Sequence, residues 1–518
     1  MTFNPPERFN IADYFLGARL AEGRGGDVAI LTDDATFTYQ EVDALANRYG
    51  NLLRDIGVKP EQRVILALPD GPEFVAALFG TLRAGAVVVL VNPELPRDAI
   101  EYFFDYTRAV TAFVPHDGEK AFFAAAPGAP CLEEIMVVGS DALEDRLGYS
   151  DDAMEPFSTH RDDPAIWLFS GGTTGRPKAV IQTHASYANT TECYGKHILA
   201  LRPGDVTLAV PKLFFGYAMG SNLFFPFAAG ATCALFPGRV TPEVLFEKIA
   251  KFRPTLLINV PTMIQKMVAH PEAASQDLSS LRIATSAGEA LPAELHRRWT
   301  DLWGVPLLDG LGTAEMWHIF LSNRPDDVKP GTLGKVVPGF DVRVRDDEGN
   351  DLPDGETGWL WVRGGSRAIG YWHDMAKTKA AFRGEWYVSG DMVRRDAEGY
   401  FTYCGRDDDM LKISGKWLAP AEVENCLVQH EAVEEAAVVG ASDEEGLVKP
   451  WAFVLARGGH TASVDAIRAF VRERLEPYKC PREIVVMDSL PRTHLGKVDR
   501  GKLRAAAEAK RASAPRGA

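Results

Sequence analysis

The chain has 518 residues, too many for one ordinary core, so two or more domains are expected. Its balance of 46% hydrophobic, 25% charged and 10% aromatic residues is that of a soluble globular enzyme. A net charge of −15 argues against a free nucleic-acid binder and leaves anionic substrates to be met by local basic groups.

The N-terminus, Met-Thr-Phe-Asn-Pro-Pro-Glu-Arg, has neither the charged start nor the apolar core of a signal peptide, so a cytoplasmic location is expected. From about residue 40 helix and strand alternate. Tyr39 to Arg54 has apolar residues at helical spacing, Arg63 to Leu68 reads as a strand, Pro72 to Arg83 as a helix and Ala86 to Val91 as a buried strand. The apolar stretch from Phe74 to Val91 is broken by Arg83 and Gly85 and is too short to span a bilayer, so no membrane partner is expected. The rhythm returns with strands near 256–260, 282–285 and 306–309, each expected to lead into a helix. Continuous apolar strands between helices predict an α/β body with mostly parallel sheets flanked by helices.

After about residue 330 the pattern turns to period-two strands, at 341–345 and 358–363, with Gly- and Pro-bearing turns between them. This predicts a small β-rich subdomain over about 330–405. A third texture starts at 408, with helices near 420–430 and 464–475 and strands near 435–439 and 451–454. The expected division is therefore a body over 1–407 and a smaller α+β C-terminal domain over 408–518. The tail from Lys502 is read as a fraying helix followed by disorder.

Several familiar chemistries are absent. The six cysteines are scattered without a C-x-x-C pair and read as reduced thiols. His430-Glu431 begins an H-E-x-x-H pattern, but position 434 is Glu, and no G-x-S-x-G nucleophile elbow occurs. What stands out is Ser170-Gly171-Gly172-Thr173-Thr174-Gly175-Arg176-Pro177-Lys178-Ala179, directly after the apolar run 165–169. Glycines leave backbone N–H groups uncovered, hydroxyls add donors and cations add charge, which is what a polyphosphate-holding loop needs. The same composition also suits a Gly/Thr surface turn. The stretch lacks both the G-K-[ST] ending of a P-loop and the G-x-G-x-x-G of a dinucleotide site.

Five further segments follow in order: Gly288 to Pro292, Gly310 to Glu315, Tyr387 to Asp391, Gly405 to Asp408, and Leu495 to Arg500. Together with the loop they resemble the adenylate-forming superfamily of acyl-CoA synthetases, nonribosomal adenylation domains and luciferases, over about residues 10 to 505. The resemblance implies that a carboxylate is joined to the α-phosphate of ATP, releasing pyrophosphate, and that the acyl group then passes to coenzyme A, releasing AMP. By that resemblance Ser170, Gly171, Gly172, Thr173, Thr174, Gly175 and Lys178 would hold the phosphates. Gly288, Glu289 and Ala290 would line the adenine, and Asp309, Gly310, Leu311, Gly312 and Thr313 would complete the nucleotide site. Asp391 would accept the ribose hydroxyls with Arg406 as a donor nearby, and Glu315 would ligate Mg²⁺. Lys497 would reach across the domain interface to the reacting carboxylate and α-phosphate. Asp408 would be the hinge of a mobile C-terminal domain, and Ser414, Gly415, Lys416 and Trp417 would approach coenzyme A. As plain structure, Glu315 reads as a helix N-terminal acid, Asp391 as a turn aspartate, Arg406 as a surface arginine and Lys497 as a solvated charge.

Three positions depart from the family's pattern: Ala314 stands where Thr is usual, Ala179 where Gly is usual and Ser414 where a second Gly is common. The aromatic stretch Lys212 to Gly220 resembles the acid-binding segment of the benzoate and aminobenzoate CoA ligases, as does Met316 to Phe320. That implies a flat aromatic acid, with Tyr217, Ala218, Ala287, Gly312 and His318 lining its pocket and Phe215 as the gate. The implied enzyme is an aryl-CoA ligase for benzoate or a substituted benzoate, with 2-aminobenzoate (anthranilate) favoured, using ATP, Mg²⁺ and coenzyme A. A stand-alone enzyme loading a carrier protein, a luciferase-type oxygenase and a non-catalytic nucleotide-binding protein remain open at this stage, as does a homodimer.

Overall fold

The computed structural model describes residues 3–171, 176–407, 409–413, 416–442, 447–458, 463–492 and 498–513, without the side chains of 412, 416, 417 and 511–513. Local signals form the elements they suggest. The helix Tyr39–Asp55 opens on a capping box in which Thr38 and Glu41 satisfy each other's backbone N–H groups. The helix Pro72–Arg83 has proline in its first turn and is buried along ten of its residues. Arg83 ends that helix at 4% exposure, its guanidinium held by Asp43 and Asn47 at 2.5 Å each, so the charge that interrupts the apolar run is paired inside the body.

Two large sheets form the body. In the seven-stranded sheet, Val87–Leu90, Arg63–Leu66, Thr111–Pro115 and Glu134–Val138 run parallel with Pro164–Ser170, and Lys178–Thr183 and the short Gly370–Tyr371 add antiparallel strands at one edge. In the nine-stranded sheet, Val28–Leu31, Thr232–Ala234, Val206–Ala209, Leu256–Asn259, Ile283–Ser286 and Leu307–Gly312 are parallel, with antiparallel strands at both ends. Their interiors are near-continuous apolar runs, as strands covered on both faces require. A five-stranded antiparallel sheet holds Asp341–Arg345, Thr357–Arg363, Trp386–Arg395, Phe382–Arg383 and Phe401–Arg406. The C-terminal domain has the three-stranded sheet Val433–Ser442, Val448–Ala456 and Glu483–Met487, with helices Pro420–Leu427, Val464–Arg472 and Arg500–Ser513.

Three expectations are corrected. The strand Leu307–Gly312 leads not into a helix but into the single turn Ala314–Met316 and then the antiparallel strand Ile319–Ser322. The β-rich region is not wholly separate, because Lys335–Val336 and Gly370–Tyr371 join the two large sheets. The terminal helix is not fraying over its described length: Leu503 and Ala507, four residues apart, are fully buried with Val439 and Phe453. The six cysteines are free thiols, and among the described residues no helix is long and apolar enough to cross a membrane.

One buried group makes stability pH-dependent. His184 accepts the Ile11 N–H through Nδ1 at 3.2 Å, and burial pushes its pKa from 6.5 down to about 3. The folded protein keeps it neutral while the unfolded chain binds a proton below 6.5, so its contribution is full above that pH and lost as pH falls towards the folded value. The loss should reach about 2 kcal/mol at about pH 5. Thermal melts of His184→Asn, which keeps an acceptor for Ile11, should fall less between about pH 7 and pH 5 than those of the parent; parallel slopes would exclude this imidazole as a cause.

Candidate active site

The carboxyl ends of Val87–Leu90 and Pro164–Ser170 in one sheet, and of Leu256–Asn259, Ile283–Ser286 and Leu307–Gly312 in the other, lead into one cleft of about 2270 Å³, the kind of place where open α/β sheets bind ligands. The strands Pro164–Ser170 and Lys178–Thr183 pair so that Ser170 stands opposite Lys178 at the base of the glycine-rich loop. Ser170, Gly171 and Lys178 line the cleft, and Arg176 lies 5.0 Å from the Tyr102 ring. Gly172, Thr173, Thr174, Gly175, Asp408, Ser414, Gly415 and Lys497 lie outside the described residues, and Lys416 and Trp417 are described only as the backbone of the strand Lys416–Leu418.

On the nine-stranded side, Ala287, Gly288, Glu289 and Ala290 follow the strand Ile283–Ser286 into the cleft, Gly288 at φ +88°, where a side chain would be strained. The Glu289 carboxylate is already used, accepting from the Thr262 hydroxyl at 2.6 Å and the Thr262 N–H at 3.2 Å. Gly310, Leu311, Gly312 and Thr313 border the same space. At Gly312 a Cβ would come within 2.5 Å of the His318 carbonyl oxygen, so only glycine fits. Asp309 and Ala218 do not reach the cleft wall: Asp309 is buried, with its carboxyl pushed well above the ordinary range by desolvation, and Ala218 packs with Ala209 and Ile258. The Thr313 hydroxyl accepts the Met316 N–H at 3.3 Å, capping the turn that bears Glu315.

Glu315 is 6% exposed, and its Oε1 accepts from the Tyr371 hydroxyl at 2.8 Å. Across the cleft, Asp391 and Arg406 are cross-strand partners with an Oδ1–Nη1 distance of 3.2 Å, and the Ser389 hydroxyl donates to the other Asp391 oxygen. Burial works against the Arg406 charge, but Asp391 holds the guanidinium above its ordinary pKa. Among the described residues no three His, Cys, Asp or Glu side chains converge to cage a metal. A hard cation there would have Glu315 as a protein ligand and would complete its shell with substrate oxygens and water, which fits Mg²⁺.

The turn after Glu315 is strained. Trp317 has φ 61° and ψ −50°, and the His318 N–H donates to the Met316 carbonyl at 2.8 Å, a γ-turn of the rare hand. The Trp317 indole holds this turn by packing on Tyr187 and Phe225, with ring centroids 4.3 and 5.5 Å away. The turn sends His318 to the cleft wall beside Tyr217 and Ile319. His318 Nε2 lies 3.0 Å from the Tyr217 carbonyl, which can only accept, so Nε2 carries the proton. Nδ1 is then a bare acceptor, buried and without a partner, while desolvation drives the imidazole pKa down to about 3. The Tyr217 hydroxyl is spent on Thr285 at 2.6 Å, and Phe215 stands 45% exposed at the cleft.

The C-terminal domain closes one side of the cleft through Arg492, Val498, Arg500 and Arg504, and Arg492 and Val498 flank the segment that carries Lys497. Arg500 grips Glu424 with two bonds, at 2.6 and 3.0 Å, and donates to the Val438 carbonyl at 2.7 Å, while Arg504 pairs with Asp409. Sequence reasoning missed Tyr371, the strained turn at Trp317 and this arginine network. Arg500 and Trp317 stood inside segments already singled out, but Tyr371 and Trp317 carry no local signal of their partners.

Comparison with known proteins shows the family. Residues 18–372 match the AMP-binding enzyme family and residues 422–497 the AMP-binding enzyme C-terminal domain. The chain is 42% identical over 510 residues to the benzoate–CoA ligase of Thauera aromatica, covering 97% of each chain. It superposes on the anthranilate CoA ligase AuaEII in complex with anthranoyl-AMP with a TM-score of 0.93 at 38% identity, covering 98% of this chain and 99% of that one. For a benzoate CoA ligase from Burkholderia xenovorans LB400 the TM-score is 0.88 at 40% identity, with 96% and 100% covered. With both family regions matched in order and the motifs gathered around one cleft, the chain belongs to the AMP-binding enzyme family, the ATP-dependent, AMP-forming adenylate-forming ligases.

Proposed function

We propose that this protein is an aryl-CoA ligase acting on benzoate or a simple substituted benzoate, with 2-aminobenzoate favoured. The observation that carries the reading is the aromatic slot beside Glu315, where Phe215, Tyr217 and an uncharged His318 border one wall. Flat apolar walls suit a flat ring. His318 Nδ1 has no partner within the protein; an amino substituent on a ring in the neighbouring slot would offer it a donor, which an unsubstituted ring does not.

In this reading the ring enters the slot with its carboxylate towards the nucleotide. Carboxylate and triphosphate repel, so the protein must supply positive potential where charge builds up. Lys178 and Arg176 stand at the phosphate end, Asp391 accepts from the ribose hydroxyls, and Lys497 approaches the carboxylate and α-phosphate. Glu315 would hold Mg²⁺, whose chemistry when bound is to neutralise phosphate charge. The carboxylate oxygen bonds to the α-phosphorus as the bond to pyrophosphate breaks. Rotation about Asp408 then withdraws Lys497 and brings the 414–417 segment towards coenzyme A. The coenzyme A thiolate attacks the acyl carbonyl, and AMP leaves with the bonding pair.

A panel of benzoate, 2-aminobenzoate, hydroxybenzoates and fatty acids, scored for AMP release with and without coenzyme A, tests this. Aryl acids should give multiple turnovers only with coenzyme A. Preference for fatty acids, or turnover independent of coenzyme A, would overturn it.

A further inference from the structure

Behind the aromatic wall lies a buried acid that the proposed chemistry does not use. Asp70 sits in the turn between the strand Arg63–Leu66 and the helix Pro72–Arg83, at the carboxyl edge of the seven-stranded sheet, and is 6% exposed. Its Oδ1 accepts the Leu213 N–H at 2.8 Å. Leu213 belongs to the other sheet, in the connection that leaves Val206–Ala209 and carries Phe214, Phe215 and Tyr217 into the cleft. The bond therefore ties one sheet to the loop of the other that walls the acid slot.

Lys212 reinforces the tie. Its Nζ donates to the Phe236 carbonyl at 2.8 Å and stands 4.0 Å from the Phe236 ring centroid. Burial lowers its pKa, and the charges of Asp70 and Glu94 oppose that shift. The Lys212 carbonyl accepts the Phe215 N–H at 2.9 Å, closing the turn that presents the gate ring. Burial also lifts the Asp70 carboxyl to about 6, against the pull of Lys212 and of the Leu213 N–H. An acid and a lysine kept in the crease between two sheets cost desolvation, and both grip the same short segment. Apolar residues would fill that crease without the cost; what they could not do is fix the backbone at Leu213.

We propose that Asp70, together with Lys212, is a positioning residue for acid recognition, holding the Lys212–Tyr217 segment so that Phe215 and Tyr217 shape the aryl slot. This rests on the aryl-acid reading above. Asp70→Ala leaves the Leu213 N–H without its acceptor and should raise the KM for the aryl acid about tenfold, with the KM for ATP moving less than about twofold. Asp70→Asn keeps an acceptor at Oδ1 and should restore most of the acid affinity, which a purely electrostatic role would not predict; a purely stabilising role would not separate the KM for acid from that for ATP. Lys212→Met, which keeps the stem over Phe236, should raise the acid KM in the same direction and serves if Asp70→Ala does not fold. An unchanged acid KM in folded Asp70→Ala or Lys212→Met, or equal rises for acid and ATP, would overturn the tether. Failure of the parent enzyme to consume any aryl acid would instead refute the function on which it rests.

Discussion

Replacing Lys497 by alanine is expected to slow formation of the acyl-adenylate by about 10²–10³-fold, the scale on which one preorganised charge-stabilising group acts. The cause is local. Carboxylate and α-phosphate carry like charge, so removing one positive group aimed at them leaves that repulsion less opposed. Three residues on, Arg500 anchors the start of the terminal helix through Glu424 and the Val438 carbonyl, contacts that the substitution does not touch. Thioester formation from supplied acyl-adenylate should suffer much less if, as proposed, the lysine is withdrawn in that half-reaction. Measuring pyrophosphate release and thioester formation separately decides the matter; equal losses in both would refute the division of labour.

Glu315→Gln is expected to lower AMP formation by about 10²-fold or more at saturating acid, with partial recovery when free Mg²⁺ is raised. Glutamine matches the shape of glutamate and can still accept from Tyr371, now at 2.8 Å from Oε1, so the melting temperature should scarcely move. What is lost is the charge that would hold the cation. A rate equal to that of the parent at every Mg²⁺ concentration would remove Glu315 from the metal role and return it to the reading of a helix-terminal acid.

The helices and strands of the body were legible because their causes are short-range. Thr38 and Glu41 announce a helix start within four residues, and runs such as Val87–Leu90 need only burial on both faces to become parallel strands. The turn after Leu307–Gly312 was not legible. A tryptophan at positive φ has no local justification; Trp317 holds that conformation because Tyr187 and Phe225, remote in sequence, enclose its ring. Two-residue strands such as Gly370–Tyr371 are too short to show a period, and the terminal helix looked weak because Val439 and Phe453, which help to bury Leu503 and Ala507, lie on strands remote in sequence. In the site, composition alone marked the glycine- and hydroxyl-rich loop as suited to phosphate, whereas the ribose and cation roles expected of Asp391 and Glu315 rested on the family resemblance. That the Glu289 carboxylate is spent on Thr262, that Tyr371 holds Glu315 and that Asp309 is buried could not.

By itself the sequence determined the order of α/β elements, the glycine-rich and acidic motifs and the aromatic character of the 212–220 segment, since each depends on neighbours along the chain. Only the tertiary structure decided that His318 is neutral with one open acceptor and that Asp70 grips the loop of the opposite sheet. Desolvation and hydrogen bonding between remote segments exist only once the two sheets have closed around the cleft.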